Sequence, residues 1–203
     1  MSKLELLLAT QNENKAKEIA LLLGDAAVAV QTARSRGITD AAPEDGTTCE
    51  ANALAKAKFI ATKTQCWALA DDAGIFIEAL DGQPGVRSAR WAGEGASDDT
   101  IIQYTLQRLT GKTNRRAYFK GVVALVNPKG EHWLFTGEIQ GTITTVPIGP
   151  ARARLPYDQL FIPEGKTQTF AEMSIEEKNQ ISHRAQALQK LKLFFRNINT
   201  PKY

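Results

Sequence analysis

Two adjacent carboxylates, Asp71 and Asp72, close the apolar run Trp67-Ala68-Leu69-Ala70, and Gly74 follows closely. A buried strand ending here would deliver both at its carboxyl end, where open α/β sheets bind ligands. Neighbouring carboxylates repel each other unless a cation stands with them. A hard divalent ion such as Mg2+, held by oxygen ligands and by substrate phosphates, meets that need. Asp and Gly are also ordinary turn residues, so a polar turn between two strands is the competing reading.

A second chemical stretch lies near the start. Thr10-Gln11-Asn12-Glu13-Asn14-Lys15 separates the apolar run 4–9 from a segment in which Ala16, Ile19, Ala20, Leu22 and Leu23 recur at helical spacing until Gly24. A polar loop between a strand end and a helix start exposes free N–H groups and the positive end of the helix dipole. A triphosphate suits that place, with Thr10 and Asn12 as hydrogen-bond partners and Lys15 as a point charge. Plain helix capping by Asn12 or Asn14 accounts for either asparagine equally well. Further on, Asn52 and Lys56 stand four apart on one helix face. Lys56 joins the chemistry only if that face meets the Asp pair. Arg90 beside Trp91 suits a nucleotide or simply packs the ring.

The elements that must position these residues follow from periodicity. Strands are expected over 4–9, 27–32, 67–70, 75–80, 117–127 and 132–139, the last two joined by Pro128-Lys129-Gly130 as a hairpin. Residues 141–150 read as loop with some strand character, and 152–158 as an irregular loop leading into Leu160-Phe161-Ile162. Thr47-x-x-Glu50 and Ser174-x-x-Glu177 have the capping-box pattern, and Ser97 before Asp98 and Asp99 starts another helix. The last helix carries Ile181, Ala185, Leu188, Leu191 and Phe195 in one stripe. On one continuous helix Lys178 and Arg184 fall about 120° apart at roughly 100° per residue, with His183 nearer the far side, so periodicity does not make the three converge. Gly111-Lys112-Thr113 is not a Walker A loop, because Leu106 occupies the place of its first glycine.

Composition narrows the field. The 203 residues suffice for one domain, of one or two lobes, with a real core. The net charge of +3 has no basic run behind it, which argues against nucleic acid. Two cysteines and two histidines make neither a disulfide framework nor a structural zinc site. The apolar run at the start is too short for a signal peptide or a membrane span, so a soluble cytoplasmic protein is expected.

Taken together, the motifs resemble one family nearly end to end. They are Ala9-Thr10-Gln11-Asn12 through Lys15, Glu44-Asp45-Gly46-Thr47, Glu50-Ala51-Asn52-Ala53-Leu54 with Lys56-Ala57, and Leu69-Ala70-Asp71-Asp72-Ala73-Gly74. Pro84-Gly85, Ser88-Ala89-Arg90, Ala92-Gly93, Tyr157-Asp158, Phe161, Thr169-Phe170-Ala171-Glu172-Met173, Glu177-Lys178-Asn179 and Ser182-His183-Arg184 continue the series. In this order they resemble the inosine triphosphate pyrophosphatases, also called XTP/dITP diphosphatases.

The resemblance implies an α/β fold with a long central mixed β-sheet flanked by helices, a single domain over 1–203 with two lobes and a cleft between them. It implies Mg2+-dependent hydrolysis of ITP, dITP or XTP to the monophosphate and pyrophosphate by a homodimer, without nucleic-acid or membrane partners. Carried over, Thr10, Asn12 and Lys15 hold the phosphates. Glu44 and Asp72 hold the metal, and Asp72 also takes the proton of the attacking water. Lys56 and Arg90 contact the substrate, and Asp158, Lys178, His183 and Arg184 line the base pocket.

The chain departs from the family pattern at three places. Gln11 replaces a glycine in the phosphate loop. Ala73 replaces a serine or threonine that would touch the substrate. Arg154-Leu155-Pro156-Tyr157-Asp158-Gln159 stands where the family has G-F-G-Y-D-P, so Leu155, beside Tyr157, takes the place of the aromatic that stacks on the base. These departures keep two alternatives open: a nucleotide-binding protein with weak or lost catalysis, and a pyrophosphatase with shifted base specificity.

Overall fold

The computed structural model describes residues 4–10, 13–24, 28–40, 42 and 44–198. In chain order the elements are β1 (Leu4–Leu8), α1 (Glu13–Leu23), β2 (Val28–Thr32), α2 (Cys49–Thr64), β3 (Trp67–Ile77), β4 (Pro84–Gly85), α3 (Asp98–Arg108), β5 (Arg116–Val126), β6 (His132–Ile143), β7 (Phe161–Pro163), α4 (Ile175–Ile181) and α5 (His183–Ile198). Seven strands form one open sheet in the order β2-β1-β3-β5-β6-β7, with β4 paired to β3 off that path. β1 runs parallel to β2 and to β3, whereas β3–β4 and β6–β7 are antiparallel, so the sheet is mixed. Leu6, Leu7 and Leu8 are all fully buried, as expected of a parallel strand covered on both faces.

The chain forms two compact units. The first comprises Met1–Asp72, Gly121–Gly137 and Arg184–Tyr203, and the second Ala73–Lys120 and Glu138–His183. The core of the first gathers Leu6, Leu8, Ile19, Leu23, Leu69, Val123, Leu125, Leu188, Leu191 and Phe195. At its margin the indoles of Trp67 and Trp133 stack at 5.7 Å, 14° from parallel. The core of the second gathers Ile75, Ile77, Ile101, Ile102, Leu109, Phe119, Phe161, Phe170 and Met173. There Phe119 and Phe161 meet edge-on at 4.8 Å.

Several elements differ from the sequence expectation. β3 does not stop at the Asp pair; it continues to Ile77, and residues 78–80 form a 3-10 turn rather than strand. Gly74 explains the continuity. A Cβ there would lie 2.2 Å from the Gly85 carbonyl oxygen, so only glycine lets β4 pair so closely. β6 likewise runs on to Ile143, and Gly141 serves the same purpose against Ile162. The cap of α2 is Thr48, whose Oγ1 accepts the Ala51 N–H at 3.1 Å, so Thr47 and Glu50 form no box. The Ser174–Glu177 box is complete: each side chain accepts the other's backbone N–H, at 3.1 and 2.8 Å.

The expected last helix is two helices. Ser182 is extended (φ −64°, ψ 154°) and separates α4 from α5. The angular relation between Lys178 and Arg184 on a single helix therefore does not apply. The expectations for Gln11 and Asn12 lie outside the described residues.

Replacing Gly74 with alanine should lower the thermal unfolding midpoint, at a cost of about 1–3 kcal/mol from overpacking against backbone. Thermal denaturation of Gly74→Ala followed by circular dichroism measures it.

Candidate functional site

Within the first unit, the alternation of β3 sends Asp71 and Asp72 to opposite faces of the sheet. Asp71 meets cations from α1 and α5. Its Oδ2 lies 3.2 Å from Lys15 Nζ and 3.1 and 3.3 Å from Arg184 Nη2 and Nε. The remaining Nη1 of Arg184 donates to Glu18 Oε2 at 2.8 Å. The Arg184 side chain is only 4% exposed, so Asp71 and Glu18 supply the countercharge that burial demands.

Asp72 meets α2 instead. Lys56 Nζ donates to Asp72 Oδ1 at 2.5 Å and reaches Glu44 Oε1 at 2.9 Å. The structure thus turns the Asn52–Lys56 face of α2 toward Asp72, and Lys56, 12% exposed, is no solvated surface lysine. Asn52 fixes the loop that carries Glu44: its Oδ1 accepts the Gly46 N–H at 2.9 Å. A Cβ on Gly46 would lie 2.5 Å from that oxygen, which accounts for the glycine. Thr10 follows β1, half-buried, one residue after Ala9 donates to the Leu69 carbonyl at 2.7 Å.

Burial raises the Asp72 carboxyl above the ordinary carboxylate value, and Lys56 only partly offsets this. Burial pulls the Lys56 ammonium down, but Asp72 and Glu44 together outweigh that and hold it above the ordinary lysine value. The second oxygen of Asp72, Oδ2, is buried and has no hydrogen-bond partner among the described residues. An unpaired buried carboxylate oxygen is costly and calls for a cation or donor from a ligand. Among the described residues no three His, Cys, Asp or Glu side chains gather as a complete protein cage for a metal. Asp72 and Glu44, joined through one lysine, instead match an ion that takes one or two carboxylates and completes its shell with water and phosphate.

Within the second unit, Lys178 Nζ donates to Asp158 Oδ2 at 2.6 Å, and both side chains are buried. Arg152 Nη1 stands 3.8 Å from the same oxygen, and Lys178 Nζ lies 5.2 Å above the Phe170 ring. The His183 ring stacks on Phe119 at 4.8 Å, 12° from parallel. Tyr157 is buried and donates its hydroxyl to the Ser88 carbonyl at 3.1 Å; burial pushes its ionisation well above the ordinary tyrosine value. Arg90 ends a 3-10 turn over 88–90 and pairs loosely with exposed Glu94 at 3.6 Å. Ala73 is half-buried in β3. Half-buried Leu155 precedes another 3-10 turn, Pro156–Gln159, whose first position accepts proline without loss.

The structure therefore brings Lys56, Glu44 and Asp72 together, Lys15 and Arg184 together on Asp71, and Asp158 and Lys178 together. The Arg184 guanidinium is ion-paired with Asp71 and Glu18. Sequence reasoning missed Glu18, although its three-residue spacing from Lys15 puts both on one face of α1. It also missed Phe119 and Arg152, which no spacing rule marks.

A mixed sheet flanked by helices, with buried, paired lysines, arginine and carboxylates, defines an α/β protein. The chain belongs to the Ham1 family, whose pattern matches residues 6–194. It is 40% identical over 194 residues to the dITP/XTP pyrophosphatase of Flavobacterium psychrophilum, covering 96% of this chain and 100% of that protein. It is 41% identical over 191 residues to the dITP/XTP pyrophosphatase of Porphyromonas gingivalis, covering 94% and 96% of the two chains. The structure of a HAM1 protein from Coxiella burnetii superposes with a TM-score of 0.88 at 36% identity, covering 96% of this chain and 99% of that one.

Arg184→Ala leaves Asp71 and Glu18 buried without this shared cation. It should destabilise the protein by about 3–5 kcal/mol, read as a lower midpoint in urea denaturation.

Proposed function

We propose that the protein hydrolyses non-standard purine nucleoside triphosphates (ITP, dITP and XTP) to the monophosphate and pyrophosphate. The observation that carries this reading is the match, over nearly the whole chain, to relatives that bear the name dITP/XTP pyrophosphatase. The residue types suit the parts such a reaction needs. Phosphoryl transfer depends mainly on positioning and charge neutralisation. In keeping with the resemblance, Thr10, Asn12, Lys15 and Lys56 take the triphosphate, and Arg90, Asp158, Lys178, His183 and Arg184 take the nucleoside; Ala73 and Leu155 leave it without a hydroxyl and an aromatic contact, and Tyr157 supports the loop of Leu155.

Asp72 and Glu44 would hold a divalent ion, Mg2+ by the oxygen character of the donors. Bound there, the ion supplies charge neutralisation at phosphate and a water of lowered pKa. The water oxygen bonds to the α-phosphorus, the bond from the α-phosphorus to the α–β bridging oxygen breaks, pyrophosphate leaves with that oxygen, and the water's proton passes to Asp72. Its burial makes Asp72 a stronger base than an exposed carboxylate, which suits that role. In keeping with the resemblance, the protein acts as a homodimer in the cytoplasm, with 1–203 as one functional domain. None of its described helices is long and apolar enough to cross a membrane.

Release of pyrophosphate from ITP, dITP, XTP, GTP and ATP, with Mg2+ and with EDTA, tests the proposal. Turnover of the first three that stops with EDTA is expected; no turnover of any triphosphate would refute it.

Asp72→Asn separates function from folding. Turnover should fall by about 10²–10⁴ or more, the share a positioned base supplies. The effect on stability has the opposite sign. Because folding raises the Asp72 pKa, its contribution is greatest below the ordinary carboxylate value and declines as pH rises through the raised one. At neutral pH Asp72→Asn should therefore melt no lower than the parent. A lower melting point would show the carboxylate to be a net stabiliser.

A further inference from the structure

Two ion-pair groups of the first unit match their charges differently. Lys15 and Arg184, two cations, meet the two carboxylates of Asp71 and Glu18. Lys56, one ammonium, serves two carboxylates at once: its Nζ lies 2.5 Å from Asp72 Oδ1 and 2.9 Å from Glu44 Oε1. A single positive charge does not match two carboxylates, whereas a divalent ion does. Asp72 and Glu44 are also the two side chains to which the metal falls.

The three groups differ in their freedom to move. Asp72 is set by β3 and its side chain is 10% exposed. Glu44 is 41% exposed, but its loop is held from α2, where Asn52 Oδ1 accepts the Gly46 N–H at 2.9 Å. Lys56 stands one turn after Asn52 on the same face of α2. Its ammonium ends a flexible stem with rotatable donors. The carboxylates are therefore the fixed part and the ammonium the movable one. An ion that takes both carboxylates either needs the oxygens Lys56 holds or stands beside the ammonium with an excess of positive charge. In a largely buried site such an excess is poorly screened.

We propose that Lys56 is an internal counter-ion that a divalent metal displaces from Asp72 and Glu44; this rests on the metal-assisted reading above. The ammonium and the ion oppose each other, and by linkage each weakens the other's hold on the carboxylates to the same extent. A phosphate group reverses the sign. An ammonium paired with phosphate no longer competes for the carboxylates, so ion and triphosphate strengthen each other's binding. One lysine thereby makes loading of the metal depend on the substrate. The nucleotide-free protein should bind a divalent ion weakly for this reason. Lys15 differs in its place, since it is paired with Asp71 on the opposite face of β3.

Calorimetric titration with Mn2+ in the absence of nucleotide tests this on the parent protein and on Lys56→Met, Lys56→Arg and Lys15→Met, each checked for a cooperative melt. Methionine keeps the stem without the charge, and Lys56→Met should bind the ion about tenfold more tightly than the parent. Lys56→Arg keeps the charge and should stay near the parent. Lys15→Met removes an equal charge whose field also reaches Asp72 but whose ion pair is with Asp71, and it should gain far less. An unchanged or weaker affinity in folded Lys56→Met would overturn the proposal, as would an equal gain in Lys15→Met, the mark of a general field. Should Lys56→Met not fold, the parent decides. With isotope-labelled lysines, saturating Mg2+ should shift the Lys56 Cε resonance, identified by its absence from Lys56→Arg. A resonance that stays in place would show the ion bound beside an intact lysine bridge and end the proposal. None of these readings needs turnover, so failure to hydrolyse any triphosphate refutes the activity reading alone.

Discussion

The pleat of β3 is the constraint on which the first unit depends. Successive residues of a strand face opposite ways, so the adjacent Asp71 and Asp72 never compete for one cation. Asp71 is met by Lys15 and Arg184, and Asp72 by Lys56. Each buried carboxylate thereby has the partner without which it would cost several kcal/mol. The small residues before them, Ala68 and Ala70, are fully buried and alternate with Leu69. A slip of one residue in the pairing of β3 would exchange the two carboxylates and their partners together. Register is thus enforced by charge as well as by hydrophobic pattern.

The two carboxylates consequently have different characters. Asp71 is closed in by a network that includes Glu18, and its surroundings are those of a support. Asp72 stands beside a lysine that it shares with the more exposed Glu44. That is a poor arrangement for stability and a good one for receiving a cation and a proton. Native structures concentrate such imbalances at functional sites, where ligand contacts restore what folding leaves unsatisfied.

Much of this was legible in the residue order, because local rules govern it. The leucine run of β1, the helix stop at Gly24, the cap at Ser97 and the Ser174–Glu177 box all depend on near neighbours. The failures share a different cause. β3 runs past Gly74 because Gly85, distant in sequence, needs the space. The break at Ser182 has no glycine or proline to announce it. Helix spacing pairs Asn52 with Lys56 and could have paired Glu18 with Lys15, but nothing in spacing says which charge they meet. Motif order identified the family, and tertiary pairing decided what each motif residue touches.

The stacked indoles of Trp67 and Trp133 have an optical consequence. Two indoles with centroids 5.7 Å apart and ring planes 14° from parallel are close enough to couple as an exciton pair, and both belong to the first unit. The third tryptophan, Trp91, belongs to the second unit and packs edge-on to Tyr104 beneath Arg108. The protein therefore carries two spectrally distinct intrinsic reporters. The coupled pair lies in the unit of the paired carboxylates, and the single indole lies next to Arg90.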